Sequence, residues 1–192
     1  MDRLKKRIKA DGVAIGTEIL KVDSFLNHQI DVELFEAIGG EFRRRFSDVA
    51  GKVDKIVTVE ASGIAVACFV ASYFGYPPVV FAKKAKPNTM TDDSYSAEVR
   101  SFTKGTVSNI MIAKKFLNEG EGVLIIDDFL AHGLAAQGLA SLVKQAGGKV
   151  LGVGIVIEKS FQGGGEKLRE AGLRVESLAV VEKIEDGNII FA

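Results

Sequence analysis

Four apolar residues, Val123-Leu124-Ile125-Ile126, run straight into two adjacent carboxylates, Asp127-Asp128. The chain continues through Phe129-Leu130 into Ala131-His132-Gly133-Leu134-Ala135-Ala136. A continuous apolar run leaves no side for water, so it reads as a strand covered on both faces, as in a parallel sheet. Leu134, Ala135 and Ala136 are good helix formers, so the small-residue loop before them leads into a helix. A strand of this kind needs helices on both sides of it. That requirement restricts the chain to an α/β architecture, a mostly parallel twisted sheet with helices on both faces.

The rest of the chain repeats the pattern. Lys55 to Val59 is β-branched enough for a strand, and Glu60-Ala61-Ser62-Gly63 leads from it into a helix-like Ile64 to Tyr73. Val79-Val80-Phe81, Ser108 to Ala113, Val150 to Ile157 and Val175 to Val181 read as further strands. Asp31 is placed as the N-cap of a helix whose stripe is Leu34, Phe35, Ile38, Phe42 and Phe46. Gly39-Gly40 inside that stripe counts against an unbroken helix. Glu185-Asp186-Gly187-Asn188 has the composition of a hairpin turn. Lys83 to Gly105 is polar and weakly periodic, as expected of a functional lid or a mobile hairpin. The 192 residues suit one domain spanning 1–192.

Lys and Arg number 25 and so do Asp and Glu. A net charge of zero disfavours nucleic acid or a membrane surface as partner. The basic residues Arg3, Lys5, Lys6, Arg7 and Lys9 accordingly read as the solvated face of a short helix over residues 2–11. The single cysteine, Cys68, lies in an apolar run and reads as core filler. No run is long enough for a membrane span, and a cytoplasmic setting is the expectation.

In a parallel sheet, ligands bind outside the carboxyl ends of the strands. Glu60, Asp127-Asp128 and Lys159 are expected to converge there. A loop feeding a helix start presents unpaired N–H groups that suit a phosphate. Neither Gly-Lys-Ser/Thr nor Gly-x-Gly-x-x-Gly is present, which disfavours a Walker-type or dinucleotide site. Paired carboxylates accept hydrogen bonds from a vicinal diol and stabilise nearby positive charge. Spacing alone is compatible with a ribose 5-phosphate ester, and also with a solvated strand end beside a helix cap.

Val123 to Ala136 resembles the phosphoribosyl pyrophosphate (PRPP) signature of type I phosphoribosyltransferases. Residues 20–31, Ser101-Phe102-Thr103-Lys104, and residues 155–162 with Glu158-Lys159-Ser160-Phe161-Gln162 resemble the bacterial xanthine-specific branch. The resemblance spans nearly the whole chain. It implies the type I fold with a small hood, formed by roughly residues 1–35 and the C-terminal region, and a mobile lid near 83–105. It implies purine salvage: transfer of the 5-phosphoribosyl group to xanthine, giving xanthosine 5'-monophosphate and pyrophosphate. It implies a homodimer, and Mg2+ held mainly through PRPP with no metal-ligating residues of its own. Carried onto this chain, Ala131, His132, Gly133, Leu134 and Ala135 bind PRPP. Asp127 and Asp128 face the ribose as the catalytic pair. Leu20, Asn27 and Lys159 hold the purine, and Glu60 to Gly63 lie near the pyrophosphate.

The family usually has Asn-Gly-Gln where this chain has His132-Gly133-Leu134. Backbone donors survive the change, while a lost amide contact to phosphate is worth roughly 1–3 kcal/mol. A protonated His132 would offset part of that loss, and PRPP affinity would then fall as pH rises; the alternative is that His132 is a neutral replacement for Asn. A Michaelis constant independent of pH would count against this. Two other functions fit the resemblance: use of guanine or hypoxanthine, and a non-catalytic regulator that senses PRPP. The purine-responsive repressors of this kind carry an N-terminal DNA-binding region, for which too few residues precede Leu20.

Overall fold

In a computed structural model, which describes residues 1–84, 93–101 and 106–192, the chain forms α1 (Asp2–Asp11), β1 (Val13–Ile15), β2 (Ile19–Lys21), α2 (Val32–Arg45), β3 (Lys55–Val59), α3 (Ser62–Tyr73) and β4 (Val79–Ala82). These are followed by β5 (Ser94–Ser101), β6 (Thr106–Ala113), β7 (Gly122–Leu130), α4 (Leu134–Gln145), β8 (Lys149–Lys159), α5 (Gly164–Glu170), β9 (Val175–Glu185) and β10 (Asn188–Phe191). The main sheet has the order β10-β9-β8-β7-β3-β4, with only the β10–β9 pairing antiparallel.

The apolar run of β7 lies in the middle of this sheet. Leu124 and Ile126 join a core with α1, α2 and α3, while Val123 and Ile125 join a second core with α4 and the β5–β6 hairpin. Alternate side chains therefore serve opposite faces, and both faces are dry. That is the physical reason the run does not alternate in polarity.

Asp31 caps α2 as expected, its Oδ1 accepting from the Leu34 N–H at 3.0 Å. Although the glycine pair counted against continuity, α2 runs unbroken through Gly39-Gly40. A Cβ on Gly39 would sit 2.7 Å from the Tyr73 ring of α3, so the glycine serves close helix packing and leaves the helix intact. Cys68 corrects an expectation, since it is exposed. Helix α3 buries Val66, Ala67, Val70 and Ala71, and position 68 points away from that stripe.

Three of the basic residues of α1 are engaged by polar partners. Arg3 pairs with Glu33 at 2.7 Å, Arg7 with Asp11 at 2.9 Å, and the Lys5 ammonium donates to the Ala192 carbonyl at 2.7 Å. The β9–β10 hairpin turns through Asp186-Gly187, both at positive φ (49° and 76°), as a two-residue primed turn requires. Within the 83–105 region, β5 pairs with β6 in an antiparallel hairpin. The remainder of the expected lid, residues 85–92 and 102–105, lies outside the described residues and takes Phe102-Thr103-Lys104 with it.

Candidate active site

Strands β8, β7 and β3 are adjacent and parallel, so their carboxyl ends share one edge. Glu60, Asp127-Asp128 and Lys159 are brought to that edge, as the fold logic requires. Glu60 follows β3, and its Oε1 accepts from the Lys84 N–H at 2.7 Å. The Glu60–Ala61 peptide bond is cis.

Asp127 and Asp128 are 5% and 9% exposed. The Asp128 N–H donates to Asp127 Oδ1 at 3.0 Å. Burial first, and then the adjacent Asp128 carboxylate, push the Asp127 carboxyl well above the ordinary range. Asp127 therefore holds a proton more tightly than a surface aspartate does. Hydroxyl donors or positive charge arriving beside it would favour its carboxylate form.

Thr58 lies next to this carboxylate and was not foreseen. It is fully buried, and a Cβ added at Gly63 would press on both Thr58 Oγ1 and Asp127 Oδ1. Among the described residues, Thr58 Oγ1 has no hydrogen-bond partner. In the sequence it is one β-branched residue in a strand, and only the β3–β7 pairing sets it beside Asp127.

Beyond β7 the chain passes through Ala131 and His132 to Gly133, which sits at φ 84° in the left-handed region. Helix α4 starts at Leu134 with no side-chain cap. The N–H groups of Leu134, Ala135 and Ala136 consequently have no partner within the helix and open onto the same edge as the aspartates. This is the geometry that favours a phosphate. The His132 ring is turned aside, its Nδ1 3.2 Å from the Gln162 carbonyl oxygen.

The opposite wall of the loop is the turn before α5, the second feature not foreseen. The Gly164 N–H donates to the Ala131 carbonyl at 3.0 Å. A Cβ on Gly164 would come within 2.6 Å of His132 backbone carbon. The signal was present as Gly163-Gly164-Gly165, a run that marks close backbone approach, although nothing local says what approaches it.

At the other pole, the half-buried Lys159 donates from Nζ to the Glu18 carbonyl at 3.2 Å. Burial lowers its pKa, and the Glu18 charge opposes that. Leu20 lies on β2 just beyond this contact and is buried. The structure thus joins Lys159 to the hairpin carrying Leu20. Asn27 ends a single π-type turn, Asp23–Asn27, and is exposed. Among the described residues, no three His, Cys, Asp or Glu side chains are grouped closely enough to hold a metal ion by themselves. The two aspartates suit a cation that arrives with an oxyanion ligand supplying most of its oxygens.

The chain and its fold have close counterparts. Residues 27–182 match the phosphoribosyl transferase domain family. A protein named xanthine phosphoribosyltransferase from Clostridium novyi is 53% identical over 191 residues, spanning 100% of this chain and 99% of its own length. One of the same name from Clostridioides difficile is 52% identical and fully covered on both sides. Among solved structures, adenine phosphoribosyltransferase from Thermoanaerobacter pseudethanolicus shares 27% identity at a TM-score of 0.67, covering 78% of this chain and 81% of that one. The Saccharomyces cerevisiae adenine phosphoribosyltransferase, at 24% identity, has the same fold at a TM-score of 0.73, covering 93% and 99%. On the family match and on whole-length identity above one half, the chain belongs to the phosphoribosyltransferase family.

Proposed function

We propose that the protein is a purine-salvage enzyme that transfers the 5-phosphoribosyl group of PRPP to xanthine, giving xanthosine 5'-monophosphate and pyrophosphate. The observation that carries this reading is the likeness, over the whole chain, to relatives named for that activity. The edge of the sheet is chemically suited to it.

The N–H groups of the loop and first turn formed by Ala131, His132, Gly133, Leu134 and Ala135 would receive the 5-phosphate. Asp127 and Asp128 would accept from the ribose hydroxyls. Departure of pyrophosphate builds positive charge on the sugar ring, and buried carboxylates stabilise such charge without forming a bond to it. No protein nucleophile is needed. Magnesium would be held by PRPP oxygens and water, with no residue of this chain assigned to it, and would supply charge compensation for the pyrophosphate. Lys159 would donate to a purine carbonyl, Leu20 would cover the ring, and Asn27 would both donate and accept at its rim. Residues 1–192 would act as one domain, with a hood drawn from residues 1–35 and the C-terminal region. The working form would be a cytoplasmic homodimer.

The direct test is nucleotide formation from PRPP and magnesium with xanthine, guanine and hypoxanthine offered in turn. Xanthine is expected to turn over fastest. No turnover of any base would overturn the activity, and faster turnover of guanine would overturn the specificity.

A further inference from the structure

One buried acid takes no part in the chemistry above. Glu158 is 3% exposed, immediately precedes Lys159, and pairs in register with Leu130, the last residue of β7 before the phosphate loop. Both its oxygens are engaged. Oε1 accepts from Arg169 Nη1 at 3.1 Å, and Oε2 accepts from Arg169 Nη2 at 3.0 Å and from Ser177 Oγ at 2.5 Å. Burial by itself would raise the acid's pKa, yet Arg169 and Ser177 hold it below the ordinary value.

Such a pair is a poor source of stability, because desolvation consumes most of the attraction and an apolar pair of similar size does as well. Its geometry is more informative. Arg169 belongs to α5, seven residues long and too short to hold its position unaided. The other end of α5 is the turn that meets the phosphate loop. Gly164 donates to the Ala131 carbonyl, and Gly165 lies so close to the Glu158 carboxylate that a Cβ there would overlap it. The Gln162 carbonyl meets the His132 ring.

We propose that Glu158 and Arg169 are positioning residues, which clamp α5 so that the Gly163–Gly165 turn holds the 131–133 loop in register for the 5-phosphate of the substrate. The inference rests on the function proposed above. Small displacements of a binding loop are costly, since a shift near 1 Å can remove about 10²-fold in rate.

Calorimetric titration with two probes tests it: ribose 5-phosphate, which carries the 5-phosphate alone, and pyrophosphate, which does not need that loop. Arg169→Gln is expected to weaken ribose 5-phosphate about tenfold and to leave pyrophosphate within about twofold. In steady state the Michaelis constant for PRPP should rise by a similar factor, with that for xanthine unchanged. Arg169→Lys should recover part of the loss. Wild-type affinity for ribose 5-phosphate in folded Arg169→Gln, or equal weakening of both probes, would overturn the clamp. Should Arg169→Gln fail to fold, Ser177→Ala keeps both charges and is judged by the same two probes. A wild-type protein that turns over no purine refutes the function proposed above; an active wild type with an unaffected variant refutes only the clamp.

Discussion

At the scale of single residues, Asp127 carries the clearest conflict between stability and the role proposed for it. Its carboxyl is buried against Asp128 and its pKa lies well above the ordinary value. The native state therefore binds this proton more tightly than the unfolded chain does. The resulting destabilisation is absent at pH values below the unfolded pKa, near 3.8, and grows until the pH exceeds the raised native value. Asp127→Asn is expected to stabilise the protein at neutral pH by about 1–3 kcal/mol, with a smaller gain near pH 3.5. Thermal unfolding at the two pH values checks this, and a loss of stability at pH 7 would contradict it. Asp128→Asn should lower kcat by about 10²-fold, since an electrostatic partner of the charged sugar is lost; single-turnover measurement of the chemical step is the readout. For Lys159→Ala, the expected change is roughly a tenfold higher Michaelis constant for xanthine with PRPP unaffected. An unchanged base preference and rate would remove Lys159 from the purine site.

Among the elements, α2 shows how local signals and packing share the outcome. Its start was legible, because an aspartate ahead of an apolar stripe satisfies an N–H group that no helical carbonyl can reach. Asp31→Ala should cost about 1 kcal/mol, read as a shift in the urea midpoint at constant slope. A change below about 0.3 kcal/mol would mean that water replaces the cap without loss. The continuity of α2 through Gly39-Gly40 was not legible. A glycine pair lowers helix propensity everywhere, and only the approach of Tyr73 from α3 makes it useful there. Cys68 is the same lesson on α3. An apolar helix stretch gives several equivalent faces, and the position of the sheet selects which of them is buried.

For the whole molecule, the acid response follows from carboxylates that tertiary contacts hold ionised. Hydrogen bonds from Arg44, and then those from Arg45, hold Glu41 down to about 2 from an unfolded value of 4.5. Glu158 and Glu121 are lowered as well, each against the effect of its own burial. Depressed acids stabilise the fold above their unfolded pKa values, and that stability is lost as pH falls through the native ones. Stability should decline between about pH 4.5 and pH 2, opposed in part by Asp127. Glu41→Gln should flatten the decline and lower stability at pH 7 by about 1 kcal/mol. An identical acid transition in wild type and variant would show that the arginine contacts do not act through ionisation.

The sequence by itself determined the fold class and the local form of the corner that the proposed function uses. A strand without alternation requires cover on both sides, and an acid pair followed by a small-residue helix start is compatible with a sugar phosphate, which the family resemblance then names. Both are local properties, carried by residues 123–136. Which residues meet at that corner was decided by tertiary structure. Thr58 reaches Asp127 only because β3 lies beside β7, and Gly164 reaches Ala131 only because α5 folds back over the strand ends. Lys159 meets the Glu18 carbonyl across 141 positions of sequence. Such contacts follow from strand order, and strand order is a global minimum over pairings that no local stretch encodes. The corner's own residues were therefore readable in advance, while the groups that tune and brace it were not.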